Sequence, residues 1–120
     1  MLNESFKLQY LRGIELFNAQ KFFECHEVLE GIWLASSGDE RTLFHALIQC
    51  AAALYHLQNS NPKGALSVYR RAQQKLEKLP PYLLGLETHD FTNGMAKFFD
   101  TVLTSTGSND WPQIHLQRTI

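Results

Sequence analysis

The sequence has little of what many function classes leave behind. Its two cysteines, Cys25 and Cys50, form no Cys-x-x-Cys pair and have no third or fourth partner. That excludes an all-thiolate zinc site and a disulfide-stapled scaffold, and both thiols read as small buried hydrophobes in a reducing compartment. Charge of neither sign is in excess: 11 Lys and Arg stand against 12 Asp and Glu, for a net −1. Nucleic acid is therefore not an expected principal partner, nor is an anionic membrane surface. No apolar run approaches the roughly 18 residues that a membrane span needs. The opening residues mix charges of both signs, with no basic start leading into an apolar stretch, so the expected location is the cytoplasm. A nucleophile elbow, a glycine-rich phosphate loop and a dinucleotide fingerprint are all missing, and no cofactor is expected.

What is present is helical periodicity, over a chain of 120 residues that is 44% hydrophobic and long enough for one domain. The first helix runs over about 3–17, with Phe6, Tyr10, Ile14 and Phe17 on one face. A second covers about 21–34. Ser36-Ser37-Gly38-Asp39 is a turn that offers Asp39 as the next N-cap, and the third helix spans about 40–58. Asn61-Pro62 pairs a good N-cap with a proline at the first helical position, starting a fourth helix over 62–79 that Pro80-Pro81 stops. Phe91, Met95, Phe98 and Val102 mark a fifth over about 90–104, with Asp90 as its cap. Residues 105–120 form a tail whose Trp111, Ile114 and Leu116 strap it onto the bundle. No stretch alternates as a half-buried strand would. The expected fold is all-α: a single domain over 1–120, made of two antiparallel helix hairpins with a buried third helix at the centre.

Helical wheels reveal one odd cluster. The second helix presents Phe22, Phe23, Cys25, Val28, Leu29, Ile32, Trp33 and Leu34 on a broad apolar arc, and His26 and Glu30 fall inside it, with Glu27 at its edge and Glu24 pointing away. The third helix is apolar almost all round, as a buried helix is, except for a narrow stripe of His45, Gln49 and His56. An unpaired carboxylate in an apolar core costs several kcal/mol, so the stripe is expected to answer the His26/Glu30 pair. The expectation is a buried network of His26, Glu30, Gln49 and His56, with Glu27 and His45 at its rim. The fourth helix turns Arg70, Arg71, Gln74 and Lys78 outward, a mild basic face that reads as solvated.

Three chemistries could use such a cluster. His26-Glu27-Val28-Leu29-Glu30 resembles a zincin helix with its second histidine replaced, and His26, Glu30 and His56 would be the alternative metal set. Di-iron chemistry is excluded, because no histidine has a glutamate three positions before it. Acid–base work by Glu30 or Glu27 with His26 needs a pocket opening onto them. A structural polar core requires none of this and is the preferred reading.

The same residues carry a resemblance. Glu24-x-His26-Glu27-x-Leu29-Glu30-x-x-Trp33, then Leu47-Ile48-Gln49-x-Ala51-Ala52-Ala53-x-Tyr55-His56, then Asn61-x-x-Gly64-Ala65, is similar to the small helical proteins grouped as domain of unknown function 309. The likeness covers about residues 5 to 80, and Ala46 departs from it where a glycine is usual. It implies an all-helical intracellular domain of prokaryotes and plastids, without an assigned biochemical role. It also implies that Glu24, His26, Glu27, Glu30, Gln49 and His56 are the signature positions. The function expected from the residues is a non-enzymatic interaction or scaffold module, with a protein partner or a second copy as its ligand. The rival is a small enzyme or ligand-binding domain built on His26, Glu27, Glu30 and His56.

Overall fold

One helix, apolar on nearly every side, organises the molecule. In the computed structural model, which describes residues 3–104 and 110–117, this is α3, Gly38–Gln58, with nine of its side chains from Leu43 to Leu54 buried. Before it come α1, Glu4–Asn18, and α2, Phe22–Trp33; after it comes α4, Pro62–Leu76. These four helices pack in chain order, α1 on α2, α2 on α3 and α3 on α4. Short connections make consecutive helices antiparallel, and each apolar stripe is covered by the next helix. The fold is all-α, a bundle of helix hairpins with α3 central.

Local chemistry sets the ends. Asn3 caps α1 by accepting from the Phe6 N–H at 2.9 Å, and Asn61 caps α4 by accepting from the Gly64 N–H at 3.1 Å, with Pro62 at the first position. Asp39, expected as the cap of α3, instead lies in its first turn beside Glu40, where carboxylates favour the positive end of the helix dipole. The helix starts after Ser37, with Gly38 at φ 62° turning the chain. Similarly, α4 ends at Leu76 rather than Leu79; the residues between tighten into bonds from Lys78 N to Lys75 O and from Leu79 N to Leu76 O.

Beyond Pro80-Pro81 the chain forms a small antiparallel hairpin that the sequence did not announce: β1, Tyr82–Leu83, pairs with β2, Leu86–Glu87. Two-residue strands are too short to show a period of two. Its turn places Leu84 at φ 51° and Gly85 at φ 79°, the two positive values a type I′ hairpin turn requires. The fifth helix, α5, is Thr88–Thr104. It begins ahead of Asp90 because the Glu87 carboxylate accepts from the His89 and Asp90 N–H groups at 3.1 and 2.8 Å. Those two bonds also hold Glu87 below the usual carboxylate range, against the opposing effect of burial.

The tail segment 110–117 returns across the bundle. Ile114 is buried and exchanges two bonds with the Asn18 amide, at 2.7 and 2.9 Å. Trp111 packs on Phe22 and Phe98, with centroids 5.7 and 5.2 Å away, and Leu116 bridges to Leu86. Residues 105–109 and 118–120 of the expected tail lie outside the described residues. Among the described residues, no helix is long and apolar enough to cross a membrane.

Candidate functional site

His26, Glu30 and Trp33 recur at four- and three-residue spacing and so share one face of α2. His45, Gln49, Ala52 and His56 do the same on α3. The antiparallel packing of these helices brings the stripes together in opposite directions: Trp33 stacks on His45 with centroids 4.3 Å apart, while at the other end His26 shares a groove with Ala52 and His56. The result is one seam with an aromatic end and a polar middle.

Within the seam Glu30, Gln49 and His56 each meet a different partner. His26 Nε2 lies 3.1 Å from Glu30 Oε2, with the two side chains 31% and 46% exposed. Gln49 Oε1 accepts from Lys75 Nζ of α4 at 2.9 Å. His56 Nδ1 lies 3.2 Å from the Asn61 amide nitrogen, which ties the end of α3 to the cap of α4. The sealed four-residue network is thus replaced by three separate pairs, because the seam opens to solvent and Glu30 needs no interior partner. Glu24 and Glu27 are exposed. Among the described residues, no three His, Cys, Asp or Glu side chains are arranged to hold a metal ion, so His26, Glu30 and His56 do not form the alternative metal set.

Two buried nitrogens on α2 have no hydrogen-bond partner, His26 Nδ1 and Trp33 Nε1. The imidazole therefore has one nitrogen facing Glu30 and the other closed off from water. His45, by contrast, is held below the ordinary histidine value, first by burial and then by the positive charges of Lys75 and Arg41. The Arg41 guanidinium carbon stands 5.3 Å from the Trp33 ring centre. Cys25 and Cys50 are buried, and burial lifts both thiols, Cys25 to about 12, so neither is a nucleophile at neutral pH.

The open end of the seam is a groove of about 170 Å³ lined by Phe22, Phe23, His26, Ala52, Tyr55 and His56. Phe23 and Tyr55 stand at its mouth, 49% and 40% exposed, with ring centroids 5.6 Å apart. The helical wheel places both in the core, and the structure corrects it. Lys75 also escapes the wheel, although its position seven residues after Val68 puts it on the edge of α4 that faces α3. Wider hollows flank α5, one of about 410 Å³ against α4 and one of about 560 Å³ against the tail, but neither pairs exposed aromatic rings.

Comparison with known proteins places this geometry in context. The family model described as domain of unknown function, DUF309, matches residues 10–68, which hold the whole seam except Lys75. An uncharacterized protein, YpuF, of Bacillus subtilis (strain 168) is 38% identical over 53 residues, covering 43% of this chain and 30% of that protein. An uncharacterized protein of Aquifex aeolicus (strain VF5) is 27% identical over 71 residues, covering 58% of this chain and 21% of that protein. The matched stretch is thus less than a third of either relative's length. The crystal structure of a conserved hypothetical protein, TTHA0068, from Thermus thermophilus superposes with a TM-score of 0.69 at 31% identity, over 84% of this chain and 100% of that one.

Proposed function

Because the chain belongs to the family described as domain of unknown function 309, which brings no assigned activity, we propose a function from its own geometry: a non-catalytic interaction module. It seats one apolar side chain of a partner protein in the groove between α2 and α3. The observation that carries this reading is the pair Phe23 and Tyr55, two aromatic rings left in water at the mouth of an apolar-walled groove. Covering such a pair releases ordered water and supplies the kind of anchor contact that dominates protein interfaces. At about 170 Å³ the groove falls below the roughly 300–1,000 Å³ typical of small-molecule sites, and suits a single side chain.

Two further features favour docking over catalysis. A base needs a free ring nitrogen at the substrate, yet the nitrogen of His26 that does not face Glu30 is shut off from water. The exposed carboxylate Glu27, four residues after Phe23 on the same side of α2, forms no ion pair among the described residues. The partner segment therefore carries Lys or Arg beside its apolar anchor. That the matched stretch is a minor part of two longer relatives supports a module that works attached to other chains.

The test is selection of a displayed peptide library on the full chain, followed by nuclear magnetic resonance mapping. Enriched peptides should combine a large apolar residue with flanking basic ones, shift the resonances of Phe23, His26 and Tyr55, and lose binding to a Phe23→Ser variant of unchanged thermal midpoint. No enrichment over a control protein, or equal binding to Phe23→Ser, overturns the proposal. A dimer in sedimentation that buries Phe23 assigns the groove to a second copy and overturns the peptide reading.

A further inference from the structure

Lys75 lies at the centre of a second concentration of side chains, on the face shared by α3 and α4. Arg71 sits one turn before it on the same side of α4, and Lys78 follows just past the helix's end at Leu76. Across the helix boundary, Arg41 and His45 precede Gln49 by two turns and one turn on the same side of α3. Lys75 Nζ donates to Gln49 Oε1 at 2.9 Å. Arg41 spends one guanidinium nitrogen on the carbonyls of Leu34 and Ser36, both at 3.3 Å. Among the described residues, none of Arg41, Arg71, Lys75 and Lys78 forms an ion pair. Burial, and then the charges of Arg71 and Lys78, hold Lys75 below the ordinary lysine value. Like charges gathered without a counter-charge disfavour one another, and a bound anion reverses that.

We propose that the face around Lys75 binds a compact phosphate-bearing small molecule, with Lys75 and Arg71 as direct contacts and the Gln49 amide N–H group as a neutral donor beside them. Two cations one turn apart beside a neutral amide donor suit a multivalent oxyanion, since a single carboxylate would answer only one of them. The amide is available because its oxygen is the atom that accepts from Lys75. From Arg71 to Lys75 the helix advances only about 6 Å, a span for a phosphate or two rather than for a tracked polynucleotide strand. Trp33, at this end of the seam, already carries His45 and Arg41, so it offers no free platform for stacked bases. The site shares no residue with the groove at Phe23 and Tyr55, and stands whether or not that groove docks a peptide.

The experiment is calorimetric titration of the full chain with inorganic pyrophosphate in dilute salt, with the histidine resonances followed in parallel. Expected are saturable binding and shifts at Gln49, Arg71 and Lys75. Lys75→Gln should weaken binding about tenfold or more, while Lys75→Arg stays within a few-fold. Phe23→Ser should bind pyrophosphate as the parent does. Trp33 from α2, Arg41 from its own helix and Lys75 from α4 face His45, so saturation should move the His45 titration upward, an effect that a structural role for Lys75 alone would not give. The absence of saturable binding at millimolar pyrophosphate, equal affinity in Lys75→Gln, or an unmoved His45 titration overturns the proposal. A short single-stranded oligonucleotide binding this face more tightly than pyrophosphate also overturns it, in favour of nucleic acid.

Discussion

Trp33 and His45 stack with ring centroids 4.3 Å apart and planes inclined by 27°, joining the last turn of α2 to the first half of α3. This contact fixes how the two helices register. A slide of either helix would break it and would also carry His26 away from Ala52 and His56, whose shared groove depends on the same alignment. The structural device and the candidate site are therefore two ends of one seam.

That stack makes stability depend on pH in a defined direction. Burial, then Lys75 and Arg41, depress the His45 pKa from 6.5. Below that value the unfolded chain binds more protons at this position than the folded chain, so stability is full above about pH 6.5 and falls as pH drops toward the folded value. Urea unfolding across this window should show the midpoint falling on acidification. His45→Phe keeps a ring on Trp33 and leaves the other histidines untouched, so its profile should be flatter than the parent's. Parallel profiles would show that His45 is not the group responsible.

The α1/α2 contact is set by a missing side chain. A Cβ built on Gly13 would stand 2.6 Å from Leu29 Cδ2 and 2.8 Å from Leu29 Cγ, and Leu29 is fully buried. Gly13→Ala should gain helix propensity yet lose more to overpacking, a net destabilisation of about 1–3 kcal/mol. Calorimetric midpoints of Gly13→Ala, Leu29→Ala and the double variant check it. The two losses should fall short of additive, because removing Leu29 makes room for the new methyl. Additive losses would mean that the contact does not control the approach.

The helices were legible because each carries several turns of period: Asn61-Pro62 marked the start of α4, and the all-round apolar run from Leu43 to Leu54 marked α3 as central. Pairwise geometry was not legible. A wheel places Gln49 and Glu30 on facing stripes, but which atom each meets depends on how far the helices stand apart and on who enters from the third side. Lys75 enters from α4 and takes Gln49, and solvent reaches Glu30. Hydrophobicity puts Phe23 and Tyr55 in the core, because it cannot tell a core ring from an exposed anchor. The hairpin at Tyr82–Glu87 failed for a simpler reason, since only the Leu84-Gly85 turn encodes it.

That hairpin is tied to the first helix by one hydroxyl. Tyr10 is fully buried, and its Oη donates to the Leu84 carbonyl at 3.0 Å. The bond holds a leucine at positive φ, a conformation that costs a non-glycine residue energy unless its surroundings impose it. Tyr10→Phe keeps the ring against Phe44 and removes only the donor. The expected loss is about 1 kcal/mol, with faster amide exchange around Leu84 to Glu87 as its local sign. A loss spread evenly over all helices, with the hairpin unchanged, would show that the hydroxyl does not anchor it.

The sharpest change concerns Glu30. Inside a sealed core, Glu30→Gln would leave a polar network short of a charge and cost several kcal/mol. In the open seam the carboxylate is 46% exposed and meets His26 as a neighbour four residues away on one helix. Such pairs contribute only about 0.3–0.5 kcal/mol when solvated, and glutamine keeps an oxygen that can still accept from the ring. Glu30→Gln should therefore shift the unfolding free energy by no more than about 0.5 kcal/mol, and its effect should shrink in high salt. A loss above about 2 kcal/mol would restore the buried network, because only a desolvated carboxylate can cost that much to replace with a neutral group of the same shape.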